Sequence, residues 1–208
     1  MNPSTQEIEL ALTDVRRAYR LLHDYQRTVL DTAKYVGTQL GFTYDGGYPN
    51  FSSCAPRDGR GHLGCSSWDW LNLVFYDFHF TRKTADGKVL NLSIWHFGDT
   101  GYFVSDNPAA DKTDVSTFAP AVSSGTKIAM LIYSEWLYGD FRYNKDQIKQ
   151  FLISGCTLPA GMIAGGVIGK CVDFLRLARE VSTDEVIDEF VRQVQGQGIS
   201  LERIRKSV

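Results

Sequence analysis

The sequence predicts an α+β fold: a long N-terminal amphipathic helix packed on a four- or five-stranded antiparallel sheet, with two or three C-terminal helices. Three observations carry that expectation. Apolar residues recur at helical spacing from Ile8 to Leu40, aromatic and branched residues crowd two segments joined by Asp86-Gly87, and capping signals stand at Asn144 and Ser182. A chain of 208 residues has the length of one domain. That single domain, 1–208, divides into a helix at about 4–40, a sheet at about 68–138 and a helical part at about 144–206.

The first helix is the clearest element. Ser4 and Glu7 form a capping box, each able to satisfy the other's free backbone N–H. Ile8, Leu12, Val15, Tyr19, Leu22, Val29, Ala33, Val36 and Leu40 then alternate spacings of four and three, with Gln26 the single polar interruption. No proline intervenes, Gly41 stands where a C-terminal cap belongs, and Gly37 is the one internal weak point. A continuous helix from Thr5 to Leu40 would extend about 54 Å at 1.5 Å per residue. That exceeds the width of a compact domain of this size. The run is expected either to lie along its own sheet or to project and dimerise.

Residues 42–67 lack a period and are rich in turn formers, which predicts a surface wrap held by Phe42, Tyr44, Tyr48 and Phe51. Trp68 to Phe80 favours strand. Asp86-Gly87 reads as a two-residue hairpin loop, and Val89 to Phe97 alternates apolar with polar. Gly101 to Val104 is expected as a short third strand, residues 105–125 as a loop, and Lys127 to Tyr138 as a central strand. Further on, Asn144 and Gln147 open a short helix ending near Gly155, and 166–177 reads as a strand or a loop leading into one. Ser182 and Glu185 form another capping box, and Gly196 and Gly198 stop the last helix.

Composition excludes several classes. Hydrophobic residues at 43% and charged residues at 22% are ordinary globular chemistry. A net charge of -2 offers no footprint for duplex nucleic acid or an anionic membrane. Thr157 to Gly169 is the most apolar stretch and is too short to cross a bilayer. Glu7, Glu9 and Asp14 interrupt the N-terminal region, against a secretory leader of the usual kind. Cys54, Cys65, Cys156 and Cys171 then read as reduced thiols, and the cytoplasm is the expected location.

Candidate chemistry begins at the hairpin. A two-residue loop at Asp86-Gly87 pairs Ala85 with Lys88 and therefore sets Asp77 opposite His96, with His79 on the same face. One carboxylate and two imidazoles so grouped could hold a divalent metal or work as an acid–base pair. The same residues also read as a polar cross-strand pair at the margin of the core, and a slip of one residue would separate them. Cys54, His62 and Cys65 are zinc-type ligands without paired spacing. Ala164 to Cys171 approaches a phosphate loop, with a thiol where a magnesium-contacting hydroxyl belongs. Tyr76, Trp95 and Trp136 are candidates for an aromatic binding surface. Trp95 shares its side of the strand with Asn91 and Ser93, an odd neighbourhood unless something covers it.

Two functions follow. The first is a non-catalytic cytoplasmic binding or accessory protein without a cofactor, acting through protein partners or self-association of the long helix. The alternative is a metal-dependent hydrolase built on Asp77, His79 and His96, with residues 42–67 as a lid.

Overall fold

The computed structural model describes residues 4–50, 74–84, 87–133, 144–155, 168–177 and 179–204. It is an α+β arrangement: helix α1 (Thr5–Gln39) precedes a five-stranded antiparallel sheet and C-terminal helices. The strands are β1 (Thr43–Asn50), β2 (Phe75–Lys83), β3 (Val89–Phe97), β4 (Lys127–Tyr133) and β5 (Ile168–Asp173). They lie side by side in chain order. The helices after α1 are α2 (Gly101–Val104), α3 (Lys145–Ile153), α4 (Phe174–Leu177) and α5 (Glu180–Gly196). No helix of the described residues is long and apolar enough to cross a membrane.

Alternation along the strands divides the core in two. Phe78, Phe80, Leu92, Ile94, Ile128, Met130 and Ile132 point to one face, where they meet Val29, Ala33 and Val36 of α1, Leu40 at its C-cap, and Val186, Ile187, Phe190 and Val194 of α5. The neighbours in sequence, Phe75, Trp95, Phe97, Ala129 and Leu131, point to the other face and pack against Phe103 of α2 and Ile148, Phe151 and Leu152 of α3. A sheet covered on both faces reads as continuous hydrophobicity, which explains the apolar run in β4.

The ends of α1 follow its sequence. Ser4 and Glu7 make the reciprocal capping box. At the other end, Gly41 adopts φ 75°. The Phe42 amide donates to the Gly37 carbonyl at 2.9 Å and the Gly41 amide to the Thr38 carbonyl at 3.1 Å, a Schellman turn. Gly37 lies against the sheet. A β-carbon there would lie 2.4 Å from the Phe80 ring, so the position needs glycine for contact.

Several elements differ from expectation. Thr43 to Asn50 is an edge strand, with a bulge between Tyr44 and Gly46, rather than part of a wrap; residues 51–67 lie outside the described residues. Gly101 to Val104 is one turn of helix, and residues 168–173 form the fifth strand. Helix α5 starts at Glu180, ahead of the expected Ser182 cap. Its N-cap, Arg179, makes no side-chain cap, and Thr183 Oγ1 donates to the Leu177 carbonyl at the end of α4 at 2.7 Å.

Candidate functional site

The hairpin between β2 and β3 decides the fate of the expected metal trio. The Thr84 amide donates to the Lys88 carbonyl at 2.9 Å, leaving residues 85–87 between them, and Gly87 takes φ 82°. A loop longer by one residue shifts the register: Asp77 faces Trp95, and His96 faces Tyr76. Asp77 and His79 therefore stay together on the second face while His96 goes to the first. Among the described residues, no group of three His, Cys, Asp or Glu side chains could hold a metal ion. The Asp77, His79 and His96 cluster does not form.

On the second face, Asp77 and His79 join a different set. His79 stands opposite Ser93, and Asn91 opposite Tyr133. Ser93 Oγ lies 2.9 Å from the Tyr133 hydroxyl, and Asn91 Nδ2 reaches the Tyr133 carbonyl at 3.4 Å. The His79 Nδ1 is 3.6 Å from the Asp45 carboxylate at the edge-strand bulge, beyond hydrogen-bond range. Imidazole, carboxylate and hydroxyl are parts of acid–base chemistry, yet Asp77 and Ser93 are wholly buried and His79 is 3% exposed. These groups lie away from solvent.

His96 has a separate partner on the first face. Its Nε2 lies 2.6 Å from the Tyr25 hydroxyl, and the Phe174 ring packs on both. Burial pushes His96 down to about 4 and, despite a hydrogen bond to Thr126, pushes Tyr25 up to about 12. Both groups are neutral near pH 7. The pair fastens α1 to the sheet at the point where the helix leaves it.

The aromatic surface is also corrected at its centre. Trp95 is wholly buried, edge-on to Phe75 at 5.1 Å and to Phe151 of α3 at 5.6 Å. A helix of the same chain covers it. Tyr76 is half-buried beside Phe78, while Trp136 lies outside the described residues, as do Cys54, His62 and Cys65. Of the phosphate-loop segment, Gly169, Lys170 and Cys171 sit within strand β5. Lys170 is paired with Glu189 at 2.9 Å and Cys171 is disulfide-bonded, so neither lysine nor sulfur is available in the expected way. The expectation of reduced thiols fails at Cys171.

What remains is α1. Every described residue from Ser4 to Asp24 is exposed except half-buried Thr13. The apolar stripe is unbroken in kind but changes surroundings midway. Val29, Ala33, Val36 and Leu40 are buried on the sheet, whereas Ile8, Leu12, Val15, Tyr19 and Leu22 are 46%, 50%, 48%, 64% and 38% exposed. The N-terminal half of the helix, about 30 Å long, projects beyond the body. The buried C-terminal half is clamped at its far end. The Tyr35 hydroxyl donates to Asp184 at 2.7 Å, and Arg203 joins Asp184, Asp188 and the Gln39 side chain. The Ile204 amide donates to the Gln39 carbonyl at 2.7 Å.

The spacing that reveals this stripe was legible from the sequence; which half would be covered was not. No curated protein and no solved structure matches the chain. The PM0109 family profile matches residues 5–199, from the start of α1 to just past α5, and the chain belongs to the PM0109 family.

Proposed function

We propose that the protein is a non-catalytic association module that docks a protein partner along the projecting half of α1. One observation carries this reading: five large apolar side chains at seam spacing, Ile8, Leu12, Val15, Tyr19 and Leu22, stand exposed on one face of a helix whose C-terminal half is buried on the sheet. Covering a half-exposed side chain of this size contributes about 2 kcal/mol. Helices in proteins draw most of their stability from packing of an apolar face, so a partner on the seam would stabilise the helix as well as bind it. Leu10 and Leu21 are exposed too, but they share their side of the helix with Asp14, Arg17 and Asp24, and scattered leucines are ordinary surface.

The disulfide at Cys171 supports an oxidising compartment over the cytoplasm expected from the thiol count.

The test is the mass of the native species. Isolated gently from its own cells, the chain is expected to run well above 23.4 kDa in native mass spectrometry, and Val15→Glu should return it to the monomer mass. A monomer in both cases ends the proposal.

A further inference from the structure

Taking the association reading as its base, we infer that the partner is a second copy of this chain, packed antiparallel along α1 with Ile8 facing Tyr19 and Leu12 facing Val15. The stripe from Ile8 to Leu22 has the alternating spacing of a two-stranded seam. A half-exposed side chain of this size hides on the order of 100 Å² when covered. Wholly covered, five from each copy (Leu22 lying against Thr5 of the other) hide at most about 1,000 Å², the area at which a specific interface begins.

The flanks of the seam choose both partner and direction. One flank, directly after Ile8, Val15 and Leu22, carries Glu9, Arg16 and His23; the other, directly before Leu12 and Tyr19, carries Ala11 and Ala18. In an antiparallel pair each flank meets itself. Glu9 of one copy then lies beside Arg16 of the other, twice over by symmetry. Ala11 lies beside Ala18, so small residues line the opposite side and let the backbones approach. A parallel pair would instead set Glu9 against Ser4 and Arg16 against Ala11, leaving both charges unmatched.

Register is fixed by charge and by the body. In the pairing stated, Ser4 of one copy comes level with His23 of the other, short of Tyr25, where the helix meets its own sheet. Sliding the copies inward by one repeat would bring Arg16 against Arg16 and drive each N-terminus into the other's body. The seam is thus complementary to itself in one arrangement.

Charge exchange in the purified full chain tests this. Sedimentation at low salt is expected to show a dimer of the 23.4 kDa chain. Glu9→Arg or Arg16→Glu alone should weaken it about tenfold by turning two attractions into repulsions. The double variant Glu9→Arg/Arg16→Glu should recover affinity to within about threefold, and Val15→Glu should leave monomers. Both charged positions are solvent-exposed, so the thermal unfolding midpoint of the sheet-bearing body should be unchanged. A dimer lost with Val15→Glu but not rescued by the double exchange overturns the antiparallel register and leaves the association reading standing. A monomeric purified chain whose native species contains another polypeptide, lost with Val15→Glu, overturns the second copy alone. Monomers both purified and native overturn both.

Discussion

His96 shows how one buried imidazole becomes a stability term. The Tyr25 hydroxyl lies 2.6 Å from its Nε2, and burial holds it down to about 4. In the unfolded chain a histidine titrates near 6.5. Between these values the unfolded state binds a proton that the folded state refuses, so stability falls as pH falls. The loss begins near pH 6.5 and reaches about 3 kcal/mol by pH 4. Urea unfolding at pH 7 and pH 4.5 is the measurement. His96→Gln keeps a polar group beside Tyr25 but removes the titration, so its stability should vary less over that window. An equal slope in the variant would place the acid sensitivity elsewhere. The sequence marked this histidine as notable, and it is; its partner is a tyrosine 71 positions away, which no local pattern announces.

At the scale of elements, α1 meets the sheet at Gly37 with glycine against ring. A β-carbon at Gly37 would meet the Phe80 ring at 2.4 Å and 2.7 Å. In an exposed helix, alanine for glycine would gain up to about 1 kcal/mol. Here the methyl enters a filled space, and overpacking of this kind costs about 1–3 kcal/mol. Gly37→Ala is therefore expected to lower the melting temperature, and a rise would mean that Phe80 turns aside freely. The same position was legible from sequence only as a weak point in a helix. Periodicity reports a face, not the distance to what lies opposite. Both caps of α1 were legible, because Ser4, Glu7 and Gly41 act through neighbours in the chain. The β2–β3 pairing was legible as a hairpin but not in register. Whether Gly87 closes a loop of two residues or three depends on how the strands twist together. That single residue sent His96 to the opposite face and dissolved the metal trio.

The whole molecule is a sheet buried on both sides, with its first helix extending past the core that holds it. Strands adjacent in sequence are adjacent in space, so the apolar strand pattern nearly gave the order of the sheet. The edge strand escaped notice because Gly46, Gly47 and Pro49 look like loop chemistry, though edge positions tolerate such residues. The disulfide at Cys171 on the opposite edge strand was hidden for another reason: with acidic residues weighing against a secretory leader of the usual kind, all four cysteines read as reduced thiols. Its consequence is a redox dependence of the whole fold. Alkylation of the unfolded chain should label all four cysteines after reduction and fewer before it. Reduction should lower unfolding stability by about 2–4 kcal/mol, since the open chain gains conformations that the bond forbids. Cys171→Ser should show the lower stability without a reductant and no further change with one. Full labelling without reduction would return the chain to a reducing compartment and leave the sheet to stand on packing alone.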